Sequence, residues 1–314
     1  MVQTLVQQLK TGDRKALARL ITLIENGSPE GEEALELLPP VKQPAHIIGV
    51  TGPAGVGKSC LISHIVAEFR RRGKTVAVIA VDPNSPLTGG AVLGDRLRMQ
   101  EHFSDSGVFI RSMGARENPG GIPKTLGEIL KVLNASGRDI IIIETVGAGQ
   151  SETEIAKAAY TVLVVVMPGM GDEIQTLKAG ILEIGDVFAV NKADLPDSDR
   201  AVQLLESMLE DYAQREYRPP IVKTVATTGE GTAELVDSLY DHWSYLNHSG
   251  MLRAKLRQNA EREILKLAAE ALQEKLRTNM KEGEMSSLLE KVAAGEIPVR
   301  TATRKLMTAV FKDG

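Results

Sequence analysis

The stretch "HIIGVTGPAGVGKSCLISHIVAEFRRR", His46 to Arg72, decides the fold. It opens with an apolar, β-branched run, closes with helical periodicity, and holds between them "GPAGVGKS", Gly52 to Ser59, which satisfies G-x-x-x-x-G-K-[ST]. Glycines in such a loop let backbone N–H groups turn inward around phosphate oxygens, and the helix that follows adds the partial positive charge of its N-terminus. The spacing assigns Lys58 to the β and γ phosphates and Ser59 to a Mg²⁺ ion, with Gly52, Pro53, Ala54, Gly55, Val56, Gly57 and Cys60 completing the nucleotide-binding stretch. Cys60 stands in the first turn of the helix, where many such loops carry Thr, and reads as a packed thiol rather than a redox sensor.

Working outward, six further apolar, β-rich runs follow the first: "TVAVIAVD", "VFIRS", "DIIIIE", "TVLVVVM", "VFAVN" and "IVKTVA". Near-continuous Val and Ile runs separated by helical patterns indicate strands buried on both faces. The expected fold is therefore α/β: a P-loop NTPase with a doubly wound, mostly parallel sheet over residues 45–245. Ahead of it, residues 1–44 read as a helical extension in which Asp13 caps a helix with Leu17, Leu20, Ile21 and Ile24 on one face. Behind it, residues 246–314 are rich in Ala, Leu, Glu, Lys and Arg. There "MLRAKLRQNAEREILKLAAEALQEKLRTNM" places Leu252, Leu256, Ile264 and Leu267 at helical spacing, which predicts a helical arm serving dimerisation rather than packing on the core.

Composition removes several classes. The chain has 314 residues, 37 Lys plus Arg against 41 Asp plus Glu, and a formal charge of -4, so nothing in its bulk electrostatics calls for nucleic acid or an anionic membrane. Aromatic residues are 4% of the chain, too few to suggest stacking platforms for single strands. The one tight basic cluster, Arg70 to Lys74, closes a predicted helix, where cations face the negative end of the dipole. A single cysteine excludes an internal disulfide and fits a reducing compartment. No apolar run approaches the roughly 18 to 20 residues that cross a bilayer, so the expected location is cytoplasmic, although a processed organelle protein would read the same.

Two later loops choose the base. "NKAD", Asn191 to Asp194, follows the strand run "VFAV". The carboxylate of Asp194 can accept from both N1–H and the 2-amino group of guanine, whereas adenine offers neither donor there. Asn191 is expected to bond polar groups near the base and neighbouring loops, and Lys192 to cover the ring with its stem. "VATTGEG", Val225 to Gly231, again follows a strand and places the N–H of Ala226 near the guanine oxygen. GTP and GDP are thus the expected ligands.

Carboxylates are expected on the metal side. Asp82 ends the second strand run, Asp95 lies in "TGGAVLGDRLRM", and Glu144 opens "ETVGAGQSE". The ends of adjacent parallel strands and their loops converge on the nucleotide crevice, where these three groups can meet Mg²⁺ beside Ser59. Glu144 is one methylene longer than the Asp usual at this place, and reaches the ion either directly or through water.

Taken in order, "GVGKS", "VDPNSPLTGGAVLGDRLRM", "ETVGAGQSE", "PGMGDEIQTLKAGILEIGDVFAVNKAD" and "VATTGEG" resemble the MeaB family of G-protein metallochaperones, also called ArgK-type GTPases. The resemblance covers nearly the whole chain. It implies that Glu-x-x-Gly is the family's normal second switch, that Gly147 senses the γ-phosphate, and that Lys58, Glu144 and Gly147 carry GTP hydrolysis. It also implies an additional switch at Pro168 to Gly180, with Asp172, Gln175 and Lys178 relaying nucleotide state to a partner, where the residues alone would read as a solvated helix face. Gln150 lies three residues after Gly147 rather than next to it, so its implied role is with the partner and not in orienting water. The implied function is a homodimeric, Mg²⁺-dependent GTPase. It would bind an adenosylcobalamin-dependent acyl-CoA mutase, methylmalonyl-CoA mutase first among them, and gate cofactor loading or protection. The alternative is a kinase acting on a transport-system binding protein. A nickel-insertion GTPase would want a His-rich site, but the five histidines are scattered at 46, 64, 102, 242 and 248.

Overall fold

The computed structural model describes residues 1–82, 99–114, 123, 125–145, 151–170, 181–210, 216–281 and 284–312. They divide into two compact units, Met1–Ser249 and Gly250–Gly314.

The first unit is built on seven strands: β1 (His46–Thr51), β2 (Val76–Asp82), β3 (Val108–Gly114), β4 (Ile140–Glu144), β5 (Thr161–Val166), β6 (Val187–Val190) and β7 (Ile221–Lys223). Their order is β3-β2-β4-β1-β5-β6-β7, and each neighbouring pair is parallel. Every residue of β1, β4, β5 and β6 is buried, which is why their sequences run through Ile and Val without alternation. The chain winds from β1 to one side of the sheet and returns to place β5 on its other flank. The end of β1 is thus the point at which strand order reverses, the place where doubly wound sheets bind ligands.

Before the sheet come α1 (Val2–Lys10), α2 (Arg14–Glu25) and α3 (Pro29–Glu36). Asp13 caps α2 as its sequence predicts, its carboxylate accepting from the N–H groups of Lys15 and Ala16 at 2.7 and 2.9 Å. Leu17, Leu20, Ile21 and Ile24 are all buried, and these helices belong to the first unit. Around the sheet lie α4 (Lys58–Arg71), α5 (Leu126–Ala135), α6 (Ser151–Ala158), α7 (Ile181–Ile184), α8 (Ser198–Glu210) and α9 (Thr232–His248). The basic cluster at the end of α4 is consumed in ion pairs, Arg70 with Asp105, Arg71 and Arg72 with Glu68, and Arg72 again with Asp237.

The amino ends of the central strands β1 and β5 are sealed by a buried polar chain. His46 Nε2 lies 2.7 Å from Thr161 Oγ1, which lies 2.9 Å from Nδ1 of His242 on α9. His46 also stacks on Trp243, ring centroids 4.6 Å apart. Burial first, and then the neighbouring His242, hold the His46 imidazole down at a pKa of about 3.

The second unit contains α10 (Met251–Lys281), α11 (Glu284–Ala293) and α12 (Val299–Lys312), which pack on one another. Its long helix leaves Ile264, Leu265 and Leu267 at 67, 62 and 51% exposure. The expected boundary at residues 245 and 246 falls inside α9, whose Leu246 is buried. No helix among the described residues is long and apolar enough to cross a membrane.

Candidate functional site

The loop after β1 needs its glycines for two separate reasons. Gly52 has φ +141°, and a Cβ there would meet the Val165 carbonyl oxygen of β5 at 2.1 Å; Gly57 has φ +96°, and a Cβ there would meet Asn191 Nδ2 at 2.5 Å. Side chains at either position are excluded by backbone angle and by space together. Ala54 and Gly55 are exposed at the loop tip, Pro53 and Cys60 are half-buried, and Val56 is fully buried.

Lys58 opens α4 and folds back over the loop. Its ammonium donates to the carbonyl oxygens of Gly52 at 2.7 Å and Pro53 at 2.9 Å, and the residue is 7% exposed. The loop's own carbonyls thus hold the cation where phosphate oxygens are expected. Next to it the hydroxyl of Ser59 donates to Glu144 Oε1 at 2.6 Å, with both residues buried. That approach follows from sheet register. Glu144 is the last residue of β4 and pairs with Val50 of β1 on one side and Ala80 of β2 on the other. The backbone of Asp82 lies two residues past Ala80 at the same end of the sheet, opposite Gly114. Ser59 and Glu144 present hard oxygen donors beside the phosphate loop, which is the chemistry Mg²⁺ prefers.

The base side is organised by one side chain. Asn191 is 1% exposed; its Nδ2 donates to the Val56 carbonyl at 2.7 Å, while its Oδ1 accepts from the Ala226 N–H at 2.9 Å and the Thr224 hydroxyl at 3.2 Å. A single amide therefore ties the phosphate loop, the Asn-Lys-Ala-Asp loop and the loop after β7 together. The Ala226 N–H, assigned from sequence to the guanine oxygen, is directed here at Asn191. Lys192 sits in the left-handed region at φ 57°, a conformation that costs a non-glycine residue about 1 kcal/mol or more and that recurs at ligand sites. That turn, closed by the Ala193 N–H on the Thr224 carbonyl at 3.0 Å, leaves Asp194 exposed at the rim.

Sequence reading singled out neither Thr224 nor Thr145. Thr224 is fully buried and completes the Asn191 knot; Thr145, also buried, has its hydroxyl 3.3 Å from that of Thr51. A threonine at the end of a strand is too common a signal to find them. Asp95, Gly147, Gln150, Asp172, Gln175 and Lys178 lie outside the described residues, as does the side chain of Asp82.

A doubly wound parallel sheet with a phosphate loop at its switch point, and an Asn-Lys-Ala-Asp loop after β6, two strands away, is the arrangement of a P-loop GTPase. The chain belongs to the MeaB family: the family profile described as methylmalonyl Co-A mutase-associated GTPase MeaB matches residues 17–281. A GTPase of Pyrococcus abyssi is 42% identical over 318 residues, covering 100% of this chain and 98% of its own length. GTPase ArgK of Escherichia coli is 32% identical, covering 83% of this chain and 84% of its own. The crystal structure of a protein named LAO/AO transport system kinase superposes with a TM-score of 0.70 at 25% identity, covering 98% of this chain and 97% of that one. The protein is thus a GTP hydrolase that binds GTP and GDP.

Proposed function

We propose that this GTPase binds an adenosylcobalamin-dependent acyl-CoA mutase, methylmalonyl-CoA mutase first among them, and uses the difference between GTP and GDP to gate loading and protection of the mutase cofactor. The observation that carries the reading is the family match across residues 17–281, whose description names a mutase-associated GTPase. A relative from Caenorhabditis elegans, 30% identical and covering 99% of this chain, is named a homologue of methylmalonic aciduria type A, in keeping with that partner.

In this reading Lys58 moves from the loop carbonyls to the β and γ phosphates, and Asp194 reads guanine on the scaffold that Asn191 holds. Ser59 and Glu144, with Asp82 and Asp95, hold Mg²⁺, which supplies charge neutralisation on the phosphates. Gly147, Gln150, Asp172, Gln175 and Lys178 carry the γ-phosphate signal outward, biasing mutase affinity through the nucleotide-dependent arrangement of their loops. Residues 246–314 serve homodimerisation, in line with the exposed Ile264, Leu265 and Leu267, and the protein works in the cytoplasm alongside its mutase. The kinase reading, suggested by the name of the superposed crystal structure, is not favoured, because the guanine loops and the relatives named GTPases both point away from it.

The test is GTP hydrolysis with and without an adenosylcobalamin-dependent methylmalonyl-CoA mutase, with ATP as the nucleotide control. Stimulation specific to GTP is expected. Unchanged GTP turnover would remove this partner and leave the GTPase.

A further inference from the structure

The helix that carries the phosphate loop also braces the loop assigned to the guanine oxygen. α4 opens with Lys58 and Ser59, and its far end is fastened to α9. There Arg72 donates to Asp237 at 2.6 Å and to the Ala233 carbonyl at 3.2 Å, and Phe69 meets the Tyr240 ring edge-on, with centroids 5.4 Å apart. Between those ends His64 reaches the loop that leads into α9. Its imidazole is half-buried against Gly229, where a Cβ would stand 2.9 Å from Nδ1 and 3.3 Å from Cε1.

That loop is stiffened by its own bonds. The Val225 N–H donates to the Glu230 carbonyl at 3.0 Å, and the Val225 carbonyl accepts from the N–H groups of Thr228 and Gly229 at 3.1 and 2.9 Å, so residues 225–230 form a closed turn. Its exit is fixed as well: Gly231, at φ +76°, lies so close to the Lys223 carbonyl that a Cβ would meet its oxygen at 2.0 Å. Ala226 is 6% exposed within this turn, and its N–H is held on Asn191 Oδ1 at 2.9 Å. A shift at Gly229 therefore carries the Ala226 N–H with it. Gly229 itself, at φ +81°, rests on His64 with no β-carbon between them.

We infer that His64 is a positioning residue for base recognition: by seating Gly229 it sets the direction of the Ala226 N–H toward the guanine oxygen. A turn held in place before the base arrives saves part of the ordering cost of binding. A misplaced donor loses its discrimination between the guanine oxygen and the amino group that adenine carries at the same position. The inference rests on the assignment of Ala226 to guanine and is independent of the mutase partner.

The test compares GDP with ADP, which share the phosphate loop and differ at the base. By calorimetric titration, His64→Ala is expected to weaken GDP binding about fivefold while ADP Kd stays within about twofold. A change acting on the fold at large would weaken both. Gly229→Ala, whose methyl group must displace the imidazole and strain the backbone, should weaken GDP binding about tenfold. In the double variant that methyl enters the space His64 leaves, so the loss should stay near about tenfold rather than reach the roughly fiftyfold of independent effects. An unchanged ratio of GDP to ADP affinity in His64→Ala, or a double variant at the full product, would overturn the role of His64 and leave the Ala226 assignment standing. Wild-type protein that binds GDP no better than ADP would overturn that assignment and the inference with it. Should Gly229→Ala fail to fold, the ratio measured in His64→Ala decides.

Discussion

The two ends of the sheet both bury polar side chains, yet they use them in opposite ways. At the carboxyl ends of the strands, Lys58, Ser59, Glu144 and Asn191 are each buried but held by backbone or by side chains from other loops, where doubly wound sheets bind their ligands. At the amino ends, His46, Thr161 and His242 form a chain closed under Trp243. Burial makes hydrogen-bond partners valuable at either end, although His46 keeps its Nδ1 buried without one among the described residues. The difference lies in what supplies them: at one end partners that nucleotide phosphates and base can share, at the other only the protein itself. Substitutions at the first end should therefore cost mainly function, and those at the second mainly stability.

The largest expected effect follows from Lys58. Lys58→Ala removes the cation held inside the phosphate loop, and GTP turnover should fall by about a thousandfold, while the thermal midpoint falls only by the cost of releasing the carbonyls of Gly52, which is buried, and Pro53, which is half-buried. Steady-state phosphate release and a thermal melt check both halves, and a large fall in the midpoint would erase the contrast. Asn191→Ala comes next and tests its limit. Removing the amide leaves the Val56 carbonyl, the Ala226 N–H and the Thr224 hydroxyl without their shared partner, so GDP affinity should fall about a hundredfold. Some stability should go with it, measured by calorimetric titration and denaturant unfolding, because this group serves both function and fold.

Legibility in the sequence divides along the same line. All seven strands could be placed from their apolar runs, and most plainly β1, β4, β5 and β6, because a strand buried on both faces leaves a continuous apolar signature. Lys58, Ser59, Asn191 and Asp194 could be placed because their chemistry fixes their spacing within short loops. Thr224 could not, because its hydroxyl bonds Asn191, 33 positions away, and such a pairing leaves no local pattern. The His46–Thr161–His242 chain was equally invisible, since it joins residues separated by 115 and 81 positions. The C-terminal apolar spacing foretold a long helix but not that two shorter helices fold with it.

At the closed end, pH is the sharper probe. The His46 imidazole has a folded pKa of about 3 against 6.5 when free, so the unfolded chain takes up this proton first. The stability it confers is complete above pH 6.5 and is lost progressively as pH falls toward 3, at up to about 1.4 kcal/mol per pH unit. Urea unfolding between about pH 7.5 and 5 should show a loss on the order of 2 kcal/mol from this group, and His46→Gln should flatten the slope. An unaltered slope in that variant would mean that the acid sensitivity arises elsewhere.

The smallest effect bears on whether the knot at the open end is one interaction or several. Thr224→Val keeps the shape of a fully buried side chain and removes only its hydroxyl. Asn191 Oδ1 would still accept from the Ala226 N–H at 2.9 Å, so the substitution leaves no orphaned acceptor and should cost about 0.5–1.5 kcal/mol. GDP affinity is then expected to fall about threefold, and the preference for GTP over ATP to narrow little. A loss as large as that of Asn191→Ala would show that the hydroxyl orients the amide, and that Asn191 cannot hold the phosphate loop through Val56 without it. No change at all would assign the whole knot to the Val56 and Ala226 bonds, leaving Thr224 on the packing side of the contrast between the two ends.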